Sequence, residues 1–103
     1  MLYTPADSLE PISVASSHYR DQLFREAERV YKVRTGANLS IDRNMLEISP
    51  GKEEGEYYLE TRARAGQRYV HLFYYVNPQR SLERNAWAIG QIIAKKIKKE
   101  RTL

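Results

Sequence analysis

A chain of 103 residues, 42% hydrophobic and 29% charged, has the composition of one folded domain with a modest core, which argues against disorder. It contains no cysteine, so disulfides and thiol chemistry are excluded and a reducing cytoplasm is the expected setting. The formal net charge of +4 lies wholly in the second half: residues 1–52 carry seven basic and seven acidic side chains, residues 53–103 ten and six.

That asymmetry points to an anionic partner. Its plainer explanation is a basic helix end that complements its own dipole and aids solubility. No apolar run reaches membrane-spanning length, and the N-terminus lacks a basic region followed by an apolar stretch; neither an anchor nor a signal peptide is expected. Eight tyrosines against two phenylalanines and one tryptophan suit a half-wet surface, where the ring packs and the hydroxyl stays solvated.

Residues 1–14 contain Pro5 and Pro11 and show no regular period; they read as an extended arm preceding a single domain over 15–103. A helix is predicted from Ser16 or Ser17, either a suitable cap, to about Thr35, with Gly36 as the stop. Tyr19, Leu23, Ala27 and Val30 form its apolar stripe, and mixed charges fill the opposite side. Leu39-Ser40-Ile41 and Leu46-Glu47-Ile48 alternate on either side of a turn-like Asp42-Arg43-Asn44, which predicts a short hairpin. Ser49 to Gly55 is a loop.

The stretch from Glu56 to Val76 is a long hairpin of residues that favour strands. Alternation puts Tyr57, Leu59, Thr61, Val70, Leu72, Tyr74 and Val76 on one face. Tyr58, Glu60, Arg62, Arg64, Tyr69, His71, Phe73 and Tyr75 fall on the other. A two-residue loop at Ala65-Gly66 pairs Leu59 with Leu72, and on the second face Tyr58 with Phe73, Glu60 with His71 and Arg62 with Tyr69. Asn77-Pro78 then reads as the start of the last helix, running to about Lys99. Leu82, Ala86, Ile89, Ile93 and Ile97 form its core stripe, with Trp87 and Ile92 at the edges. An acid-free stripe of Arg80, Arg84, Gln91, Lys95 and Lys98 lies opposite. Lys96 falls toward the apolar side, its stem laid on the core and its amine extended to water.

The fold class is therefore α+β: an N-terminal helix, a three- to four-stranded antiparallel meander and a C-terminal helix. Both helices have one face to bury, so the economical packing sets them on the same side of the sheet. The face of Tyr58, Tyr69, Phe73 and Tyr75 is then left open.

Two histidines on different elements, without cysteine, give no metal site. No nucleophile elbow or glycine-rich phosphate loop is present, so no enzyme, catalytic residue or cofactor is expected. His71 beside Glu60 is either a pH-sensitive pair or a surface imidazole held by a carboxylate. Asp42 followed by Glu60-Thr61-Arg62, after a helix, resembles the pattern of the PD-(D/E)xK nucleases. It departs from that pattern at Arg62, which replaces a lysine and stays protonated, and at Asp42, which has no proline before it.

The helix–strands–helix order over roughly residues 16–100 is similar to that of double-stranded RNA-binding domains. That likeness implies phosphate contacts from the start of the final helix, where Arg80 and Arg84 stand; the family's Lys-Lys-x-x-x-Lys run is missing. A duplex reader would use Arg80, Arg84, Lys95 and Lys98. A single-strand binder would instead stack bases on the open tyrosines, with Arg62 and Arg64 on phosphates.

The reading placed first is a small binding protein acting through its open sheet face. Tyr58, Tyr69, Phe73, Tyr75 and His71 would contact another protein or a second copy of the chain. RNA or DNA is the alternative partner, and no membrane is involved.

Overall fold

The structure is a computed structural model, and it describes residues 17–101, with the side chains of 99–101 left aside. The arm expected over 1–14 and the cap at Ser16 lie outside the described residues. The elements run α1 (Ser17–Thr35), β1 (Leu39–Ile41), β2 (Glu47–Pro50), β3 (Tyr57–Ala65), β4 (Arg68–Val76) and α2 (Leu82–Arg101). This is an α+β fold with four antiparallel strands in one open sheet.

The first helix follows its apolar stripe. Leu23, Phe24, Ala27 and Tyr31 are buried, and the chain leaves the helix through Gly36 at a φ of 79°, the left-handed conformation in which a residue without a Cβ is unstrained. Strands β3 and β4 alternate as their sequences dictate. Leu59, Ala63, Val70, Leu72, Tyr74 and Val76 are buried against Leu23, Phe24, Ala27, Ala86, Ile89 and Ile93 of the two helices. Both helices therefore cover one face of the sheet. They approach each other at Gly90, where an added Cβ would lie 3.7 Å from the Ala27 carbonyl oxygen.

The long hairpin turns one residue later than expected. Ala65 pairs with Arg68, so the two-residue loop is Gly66-Gln67, and Gly66 has a φ of 65°. Primed hairpin turns need positive φ at the first loop position, which places glycine first in the loop. The register consequently moves by two residues: Leu59 opposes Tyr74, Thr61 opposes Leu72 and Arg62 opposes His71. A shift of two leaves each side chain on its expected face.

The predicted hairpin between 39–41 and 46–48 does not form. β1 pairs with Ala63 to Ala65 and β2 with Tyr57 to Glu60. Since β4 occupies the other edge of β3, β1 and β2 lie end to end along one edge, as a single strand interrupted by 42–46. The interruption is held from several sides. Asp42 Oδ1 accepts the amides of Asn44 (2.8 Å) and Met45 (3.2 Å). Thr61 Oγ1 donates to the Asp42 carbonyl at 2.6 Å. Glu28 of α1 accepts the Ile41 amide at 2.9 Å and pairs with Arg43. The turn chemistry of Asp42 is real, but it builds a bulge because β3 offers more partners than a three-residue hairpin would.

The last helix begins at Leu82 and not at Pro78. Asn77 instead closes a turn, accepting the Gln79 amide on Oδ1 (2.8 Å) and the Arg80 amide on its carbonyl (3.0 Å). Ser81 caps the helix, its hydroxyl accepting the Arg84 amide at 3.2 Å. At the start of α2 Asn85 is fully buried. It accepts the Tyr74 hydroxyl (2.9 Å) and donates to the Tyr19 hydroxyl (3.2 Å) and the Asn77 carbonyl (3.3 Å). One side chain thus ties α2, β4, α1 and the preceding turn together.

Candidate functional site

The register arranges the uncovered face as rows across the strands. Ser49, Tyr58 and Tyr75 form the first row and Glu47, Glu60 and Phe73 the second. Arg62 and His71 form the third, and Ser40, Arg64 and Tyr69 the fourth. Paired residues in an antiparallel sheet share a face, so these side chains lie together away from the helices. Phe73 remains 48% exposed and Tyr69 56%.

The three contacts expected across the hairpin all form, although their residues are diagonal rather than directly opposite. Tyr58 stacks on Phe73 with ring centroids 5.3 Å apart, and it also meets Tyr75 at 5.4 Å. Glu60 Oε2 lies 2.7 Å from His71 Nε2. The Arg62 guanidinium sits 4.7 Å from the Tyr69 ring centre. Long side chains reach diagonal neighbours, and strand twist brings such pairs together.

The face is polarised along the strands. One end holds Tyr58, Phe73 and Tyr75 with Glu47 and Glu60. Glu56, in step with Tyr58, hydrogen-bonds the Tyr75 hydroxyl and so pushes its pKa up to about 12. The other end holds Arg62, Arg64 and Tyr69. Two of the charged side chains have neighbours within the chain: Glu60 contacts His71, and Arg62 lies 3.7 Å from Asp42. Between the two ends lies a depression of about 440 Å³ lined by Met45, Glu47, Glu60, Arg62, Tyr69 and His71.

The second basic surface runs along α2, with the exposed Arg80 just ahead of it. Arg84, Lys95 and Lys98 are exposed on α2, and Arg80 precedes the helix and lies beside the buried Tyr74 hydroxyl, whose pKa burial pushes up and Arg80 draws back down. Lys96 reaches the exposed outer edge of β4, where its amine donates to the His71 carbonyl at 2.6 Å. Trp87 is 51% exposed and carries the Arg34 guanidinium 5.8 Å from its ring.

The nuclease-like trio is otherwise engaged. The Asp42 carboxylate holds two backbone amides and Arg62, and Glu60 holds His71. Among the described residues no three acidic or imidazole side chains cluster as a metal site would require, and none of their helices is long and apolar enough to cross a membrane. Asn85 and Glu28, which fix the frame beneath the face, carried no sequence signal beyond being polar residues within helical segments. Compared with known proteins, the chain matches no family model, no curated protein and no solved structure.

Proposed function

We propose that this is a non-enzymatic protein-binding module of the cytoplasm, and that its binding surface is the open face of β3 and β4. The observation that carries this reading is the exposure of aromatic rings on that face. Phe73 and Tyr69 stand about half exposed, beside Glu60, which lies 2.7 Å from His71, and Arg62, which lies 3.7 Å from Asp42. Exposed aromatic rings with arginine among them are what the centre of a protein interface favours. The setting rests on the absence of cysteine.

A photo-crosslinking residue placed at Phe73 tests the proposal. It is expected to capture protein efficiently, while the same probe at Val33, on the outer side of α1, captures little. Equal yields at the two positions, or none at either, would overturn it.

The exposed Arg84, Lys95 and Lys98 favour a second reading, in which α2 grips a nucleic-acid backbone. It requires affinity that falls steeply with salt and an Arg84→Glu variant weakened on every sequence tested.

A further inference from the structure

The partner best matched to the open face is a second copy of it. We infer that two chains pack sheet on sheet with their strands antiparallel, about a two-fold axis that lies midway between the sheets, parallel to them and across the strands, between the rows of Glu60 and Arg62. This rests on the interface reading given above and names its occupant.

The argument begins from the register. An axis so placed sets the first row on the fourth and the second on the third. Glu60 of one copy then faces Arg62 of the other, Tyr58 faces Arg64, Tyr75 faces Tyr69 and Phe73 faces His71. Each acidic, aromatic end meets a basic end, twice by symmetry. The alternative two-fold axis, along the strands, would set Glu60 on Glu60 and Arg62 on Arg62, which like charges disfavour. Shape agrees with charge. Phe73 is the exposed knob of the second row, and His71 lines the depression of about 440 Å³ at the centre of the face. The axis carries each Phe73 toward the other copy's depression.

Size sets the expected strength. Three strands ~4.8 Å apart and eight residues at ~3.4 Å each give a footprint of roughly 400 Å² per copy in projection. Standard interfaces bury about 800 Å² per partner, so a footprint about half that size places the self-association at the weak, reversible end. The surface is isologous, as closed two-fold dimers require.

Sedimentation of the purified full chain from about 1 to 300 μM tests this, a range suited to weak, reversible association. The mass is expected to rise from 12.1 kDa for one chain toward twice that value. Phe73→Asp should raise the dissociation constant by ~30-fold or more, as loss of a central anchor does. Glu60→Arg and Arg62→Glu should each weaken self-association on their own, since each sets like charges across the axis. An equimolar mixture of the two variants should restore dimers, because the arginine introduced in one then faces the glutamate introduced in the other. Urea midpoints of the variants confirm that they are folded.

A wild-type chain that stays at the mass of one copy throughout overturns the inference, and so does a dimer that Phe73→Asp leaves intact. A probe at Phe73 that captures only other proteins likewise overturns self-association, but it spares the interface reading. A probe that captures nothing sinks both.

Discussion

Asn85 offers the sharpest test of how the sheet is held beneath its open face. Asn85→Ala removes the acceptor of the Tyr74 hydroxyl and a donor to the Asn77 carbonyl. Tyr74 is 5% exposed, so its hydroxyl has little access to water once Asn85 is gone. An unsatisfied buried group costs about 1–3 kcal/mol. The Asn77 carbonyl lies nearer the surface and adds up to about 1 kcal/mol, and alanine's better helix propensity returns about 0.6 kcal/mol. Tyr19 is only half-buried and can turn its hydroxyl to solvent. The expected loss is therefore about 0.5–3.5 kcal/mol, read from urea unfolding as a midpoint lowered by roughly 0.3–2 M with little change in slope. The bond itself is isolated by a cycle with Tyr74→Phe. Once the amide is absent, removing the hydroxyl should cost less than it does in the wild type, with a coupling of about 1 kcal/mol. An Asn85→Ala loss below about 0.5 kcal/mol, or strict additivity with Tyr74→Phe, would refute the reasoning.

Three further expectations follow from local geometry. Gly90→Ala should stabilise the chain by about 0.5–1 kcal/mol in the same unfolding assay, since the new methyl meets α1 only at ordinary contact distance and the unfolded chain loses freedom; a loss would show that the helices cannot accept it. Gly51→Ala should instead destabilise by about 1–3 kcal/mol, because its Cβ would lie 2.8 Å from the Glu56 Cβ and 3.2 Å from the Glu56 backbone; a thermal midpoint equal to wild type would contradict this. Tyr75 should titrate near 12 in an ultraviolet pH titration, and Glu56→Gln should bring it back toward the ordinary 10.0. Because the folded value is raised, the stability this hydrogen bond contributes is complete below 10.0 and drains away as pH climbs through about 12. A Tyr75 that titrates with the other tyrosines would remove the Glu56 contact.

The parts of the fold that were legible are those set by one residue's choice of side. Leu23, Ala27, Ile89 and Ile93 declared the buried faces of the helices, and the alternation from Tyr57 to Val76 sorted the hairpin into a covered and an open face. Gly36 marked the helix end because its conformation needs no Cβ. What stayed illegible depends on choices between partners. Asp42 has the same turn chemistry whether it closes a hairpin or shapes a bulge, and only the length of β3 decides. Asn77 and Ser81 are both good caps four residues apart, and the buried amide of Asn85 favours the later start. The contacts Tyr58–Phe73, Glu60–His71 and Arg62–Tyr69 emerged despite a misplaced turn, because a shift of two keeps faces and long side chains span the diagonal. Lys96 reaches the surface as its amphipathic stem suggests, and there its amine also finds a strand-edge carbonyl.

The claim that the sheet face is the binding surface is tested most directly by hydroxyl-radical footprinting of the aromatic side chains. Oxidation of Tyr58, Tyr69, Phe73 and Tyr75 is compared between dilute purified chain and the chain among its cellular partners. Trp87, exposed on α2, serves as the internal reference. The account predicts protection of Phe73 and Tyr69 with Trp87 oxidised equally in both states. Protection of Trp87 with an unchanged Phe73 would move the binding surface to the helices and contradict it.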